Sequence, residues 1–129
     1  MYALTRAGET DAAANALAAM QRHAERQTGR LAHVWNEVGV PLARGCIAFA
    51  AGDYDRASAL LRPILAETPC VGGSDEQRGV FAESHLVSLI RAGRKDEARA
   101  ALIEHIAGRD ETALERRWEE SIRRGGGFQ

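Results

Sequence analysis

Apolar side chains recur along the chain every three or four residues, the interval that places them on one face of a helix, and the pattern predicts helices with no sheet. Residues 10–27 gather Ala13, Leu17, Met20 and Ala24 on such a face, and residues 31–51 gather Leu31, Trp35, Val38, Leu42, Cys46 and Phe49. Pro41 brings no amide hydrogen and its ring crowds the carbonyl of Glu37, so a kink is expected in the second helix. A third helix over 53–67 carries Ala57, Leu60, Leu61, Ile64 and Leu65, with Pro63 set to bend or shorten it before a loop at 68–73. Residues 75–92 are apolar over much of the circumference through Val80, Phe81, Leu86, Val87, Leu89 and Ile90, which predicts a central helix. The helix over 95–107 shows a narrower stripe of Ala98, Ala101, Leu102 and Ile106, and that over 111–124 one of Leu114, Trp118 and Ile122. Glu119 with Arg123 and Glu120 with Arg124 are pairs at four-residue spacing, so the rest of the last helix is expected to face water.

A turn-plus-helix phrase occurs three times, as Gly8 to Ala13, Gly52 to Ala57 and Gly93 to Ala98, at spacings of 44 and 41 residues. In each, the glycine suits the left-handed position that ends a helix, polar residues can cap the next, and the small alanine lets two helices approach. Gly45, Gly52, Tyr54, Ala57 and Pro69 stand where the tetratricopeptide motif has a small residue, a turn glycine, an aromatic, a second small residue and a closing proline. The unit resembles that motif, although its length is nearer the roughly 40 to 47 residues of HEAT and armadillo units than the roughly 34 of a tetratricopeptide. The expected fold is all-α: antiparallel helix-pair repeats in a TPR-like α-solenoid over residues 1–124, closed by a C-terminal capping helix, with 125–129 a disordered tail. Met1 to Ala7 supplies only the end of a first helix, so the first pair is expected to be incomplete and the chain to be the C-terminal part of a longer protein. The face of Leu17 and Met20 would then lack its partner, and a homodimer through the N-terminal helices is the expected remedy.

Charge narrows the partners. Seventeen basic and eighteen acidic side chains give a net charge of −1, too small a field to gather nucleic acid. Cys46 and Cys70 have no CxxC spacing, which suits a reducing, cytoplasmic setting, and no stretch is apolar for long enough to span a membrane.

The most unusual segment is Gly72-Gly73-Ser74-Asp75-Glu76-Gln77-Arg78-Gly79-Val80-Phe81. With GDYDRASALLRP and VPLARGCIAFAAG before it, this segment resembles the C-terminal part of the tetratricopeptide repeat protein 38 family, whose members carry GGSxAQRDxF between helical repeats. The resemblance covers roughly residues 34–105 and departs at Glu76 and Gly79, where the family has alanine and aspartate. It implies helical repeats in a longer protein and adds almost nothing about activity. On the residues alone, Ser74 and Gln77 form an S-x-x-Q capping box. The rival is an anion site, with two glycines, free amides at a helix start and Arg78 holding a carboxylate or phosphate. Asp75 and Glu76 count against it, because they already occupy the positive end of the helix, and Arg78 is then expected to pair with an acidic side chain of a neighbouring helix.

His23, His33, His85 and His105 show no metal-binding spacing, Cys46 sits on an apolar face, and Ser74 has no nucleophile elbow. No cofactor motif occurs, and Trp35 and Trp118 fit core and capping anchors. The chain is therefore expected to be a protein-protein interaction scaffold, not an enzyme, whose concave face takes a protein or peptide partner. The alternative is a small anionic ligand-binding module or degenerate enzyme built from Ser74, Gln77 and Arg78 with Arg44 or His85.

Overall fold

The computed structural model describes residues 1–125, and no strand occurs among them. The elements in order are α1 (Tyr2–Arg6), α2 (Thr10–Glu25), α3 (Gly29–His33), a π-helical segment (Val34–Gly39), α4 (Val40–Ala51), α5 (Tyr54–Leu61), a 3-10 segment (Arg62–Val71), α6 (Asp75–Arg91), α7 (Lys95–Ile106) and α8 (Ala113–Arg124). Of the tail expected to be disordered, only Gly125 is described; it ends α8 in the left-handed region at φ 96°.

The three glycine phrases fold alike in their backbone bonds, but a side chain caps the next helix only at the second, where Asp53 accepts from the Arg56 amide at 3.3 Å. Gly8, Gly52 and Gly93 take φ of 80°, 81° and 75°, a region costly for a side chain. At each, the glycine amide donates to the carbonyl three residues back, and the next amide reaches the carbonyl five back: Glu9 to Leu4 at 2.9 Å, Asp53 to Ala48 at 2.9 Å and Arg94 to Leu89 at 3.0 Å. This double closure satisfies carbonyls that a helix end leaves open. Glu9, Asp53 and Arg94 then begin the following helix, their carbonyls accepting from the amides of Ala13, Ala57 and Ala98 at 3.0, 2.9 and 2.9 Å. Those three alanines are at most 2% exposed, so each phrase places a small residue where its helix meets a neighbour.

Pro41 and Pro63 act at their predicted places. The kink expected at Pro41 is realised as the π segment just before it, where Glu37 has lost its usual donor and the helix widens. That widening rotates the two parts of the expected stripe against each other, leaving Leu31 exposed while Val38 and Leu42 are buried. Pro63 ends α5 at Leu61, and the chain continues as a 3-10 segment to Val71, so the loop expected at 68–73 shrinks to the glycines before Ser74.

Each long helix packs on the next, α4 on α5, α5 on α6, α6 on α7 and α7 on α8, and a second series of contacts links α1 to α4, α4 to α6 and α6 to α8. The core has two centres, one of Val38, Leu42, Leu61 and Ile64, the other of Leu86, Leu89, Ile90, Ala98, Leu102, Trp118 and Ile122. Helix α6 supplies three side chains to the second and lays Phe81 against the first, the central place its sequence predicted. The pairs Glu119 with Arg123 and Glu120 with Arg124 are both formed on the exposed side of α8. Leu17 and Met20, expected to lack cover, are half-buried on α2, which packs against α1, the π segment and α4 of the same chain.

Candidate functional site

Ser74 and Gln77 close the capping box: the Gln77 amide donates to Ser74 Oγ at 3.3 Å, and the Ser74 amide donates to Gln77 Oε1 at 2.9 Å. Arg78 donates to the carbonyl oxygen of Gly73 and to the carboxylate of Asp75, so its partner is in its own cap and not on a neighbouring helix. The reason is local: Asp75 lies one turn before Arg78 on the same face, within reach of its guanidinium. Hydrogen bonds at the helix start, first to its own backbone and then to Ser74, hold the Glu76 carboxyl below its ordinary range. The segment is thus a self-satisfied helix start carrying two carboxylates.

The other two candidate residues lie elsewhere. Arg44 is exposed on α4, and His85 is buried on α6, eleven residues beyond Ser74 or roughly 16 Å along the helix. His85 is only 5% exposed and its Nε2 is buried without a hydrogen-bond partner. Burial, and then the charge of Arg62, push its imidazole below 6.5. It borders a cavity of about 630 Å³ between the 3-10 segment, α6 and α7, with Arg62, Glu97, Glu104 and His105 around it.

Apolar side chains line a groove across α1, the π segment, α4, α6 and α8. One stretch, of about 500 Å³, is lined by Met20, Trp35, Leu42, Cys46, Cys70 and Phe81 among others. A second, of about 330 Å³, shares Tyr2, Cys46 and Phe81 with the first and adds Phe49, Val80, Val87 and Trp118. Aromatic rings in its lining pack on one another or on rings behind them: Tyr2 stacks on Phe49 at 5.8 Å between centroids, Phe49 meets Tyr54 edge-on at 5.9 Å, and Trp35 meets His23 edge-on at 4.7 Å. Val80 is 55% exposed, as a groove residue would be, although the helical pattern placed it in the core. Burial pushes the Cys46 thiol up, which favours the uncharged form of a small apolar lining group.

The second stretch shares Glu83 and Trp118 with a polar end of about 730 Å³, bordered also by Asp75, Glu76, Arg109 and Glu115. Glu115 is almost wholly buried, yet it is held in charged form at about 2. The Arg109 guanidinium bonded to both of its oxygens is the main cause, helped by the amide and hydroxyl of Thr112. His105 Nε2 lies 3.2 Å from the same carboxylate, and its ring meets Trp118 edge-on at 5.9 Å. Sequence reasoning missed this network, although Thr112 and Glu115 carry the T-x-x-E spacing of a capping box, the signal recognised at Ser74.

None of these four cavities is lined by Arg44, Ser74, Gln77 or Arg78. Among the described residues, no three His, Cys, Asp or Glu side chains are placed to hold a metal ion, and no helix is long and apolar enough to cross a membrane. No family model matches the chain, and no solved structure matches it.

Proposed function

We propose that the chain is a tetratricopeptide-like helical repeat, related to the tetratricopeptide repeat protein 38 family through its GGSDEQRGVF segment, and that it binds a peptide segment of another protein in its groove. Three hinges with one hydrogen-bonding pattern and the contact series α1, α4, α6, α8 support the repeat reading. The observation that carries the binding reading is the groove itself, two apolar stretches that share Tyr2, Cys46 and Phe81, with Val80 and Tyr2 exposed on its surface. A groove walled by apolar and aromatic side chains is the kind of surface that takes the apolar face of a peptide. The two free cysteines accord with a reducing compartment such as the cytoplasm. An anionic-ligand module at Ser74 to Arg78 gains no support, since the donors there are engaged with their own cap.

Display of short random peptides against the purified chain tests the reading. Selected peptides should perturb the fluorescence of Trp35 and Trp118, which line the groove. They should bind several-fold more weakly when Tyr2→Ser and Val80→Ser are combined, both positions being exposed and tolerant of change. Binders indifferent to that pair of substitutions, or no binders at all, would overturn it.

A further inference from the structure

Resting on the groove as a peptide site, the distribution of charge along it identifies the kind of peptide. We propose that the groove takes an apolar segment of a partner protein with a basic end, the basic side chains lying against Glu76 and Glu83. The first stretch of the groove is bordered by no charged side chain, its one charge being the α-amino group of Met1, and the second by Glu83 alone. At the far end stand Asp75, Glu76, Glu83 and Glu115 against the single guanidinium of Arg109. Two of these carboxylates are already engaged, Asp75 by Arg78 and Glu115 by Arg109. Arg109 is also spent, since it bonds both oxygens of Glu115 and the carbonyls of His105 and Asp110. Glu83 and Glu76, the latter hydrogen-bonded at its own helix start to its amide and Ser74, are in no ion pair among the described residues and border the polar end. A lysine or arginine arriving there meets two negative charges, whereas an acidic or phosphorylated end meets like charge, and complementarity of this kind selects partners and orients them.

Three synthetic peptides sharing one display-selected apolar sequence, and ending in paired lysines, serines or glutamates, test this by fluorescence titration. Two exposed charge contacts, each changing affinity by up to about fivefold, should make the lysine peptide roughly tenfold tighter than the glutamate peptide at low salt. Added salt should narrow that gap. Combining Glu76→Lys with Glu83→Lys should invert the order of the lysine and glutamate peptides, and an unchanged helical circular-dichroism spectrum checks that the variant is folded. Equal binding of the three peptides, or tightest binding of the glutamate peptide, would overturn the charge preference and leave the groove reading standing. Failure of all three to bind would remove both.

Discussion

Gly45 on α4 faces Leu61 on α5 so closely that a methyl group added at Gly45 would stand 2.7 Å from Leu61 Cδ2 and 2.9 Å from its Cγ. Leu61 is fully buried and belongs to the first core centre, so it has little room to retreat. The contact sets how near the two helices of this hairpin come, and hence how the wall of the groove stands.

Gly45→Ala is expected to destabilise the protein even though alanine is the better helix former. The propensity gain is about 1 kcal/mol and overpacking costs about 1 to 3 kcal/mol, leaving a net loss up to about 2 kcal/mol. Chemical denaturation measures it. Combined with Leu61→Ala the two losses should be less than additive, because the second change vacates the space the first needs. Additive losses would mean that the two side chains do not compete.

Ala57 is fully buried on α5. Ala57→Leu should cost about 1 to 3 kcal/mol by overpacking, read from the same denaturation curves. An unchanged midpoint would place Ala57 away from any close helix contact.

Glu115 makes stability depend on acid pH. Its carboxyl titrates at about 2 in the folded protein against 4.5 unperturbed. Between those values the unfolded chain binds a proton that the folded one refuses, so stability falls as pH falls. The contribution should be whole above about pH 4.5 and lost toward pH 2. Thermal melts of wild type and Glu115→Gln across that window should converge as the pH drops; parallel curves would show that the ion pair with Arg109 contributes nothing.

His85 works at higher pH and through a different cause. Its imidazole is held below 6.5 by burial, so in mild acid the unfolded chain takes up a proton that the folded one resists. This contribution is complete above about pH 6.5 and declines below it. Because Nε2 has no partner, His85→Leu should be neutral or stabilising at pH 7 and should flatten the stability profile between pH 5 and pH 7, the range flanking an unperturbed histidine at about 6.5. A large loss at pH 7 would show that His85 makes a bond that matters.

The half-burial of Leu17 and Met20 within one chain weakens the motive for pairing through the N-terminal helices. Light scattering at micromolar concentration should give a monomeric mass, and Leu17→Glu should lower stability without altering it. A dimeric mass that Leu17→Glu shifts to monomer would restore the two-copy arrangement.

What the sequence determined by itself is local. The hinges at Gly8, Gly52 and Gly93, the cap at Ser74 and the proline disturbances depend on bonds a few residues long, and the residues making them are adjacent in the chain. Periodicity likewise located most of the helices to within a few residues and put α6 at the centre, while α5 gives way to a 3-10 segment after Leu61 instead of running to residue 67. What only the tertiary structure decided is which surfaces meet. The π segment turned Leu31 out of the core, a matter of helix phase that a regular stripe does not encode. Val80 and Tyr2 became groove residues and Glu83 and Trp118 came to line the groove's polar end together, because helices far apart in sequence cross there. The candidate residues Arg44 and His85 fell away from Ser74 for the same reason: proximity across helices depends on how the helices pack, and the charge or apolarity of one side chain carries no record of it.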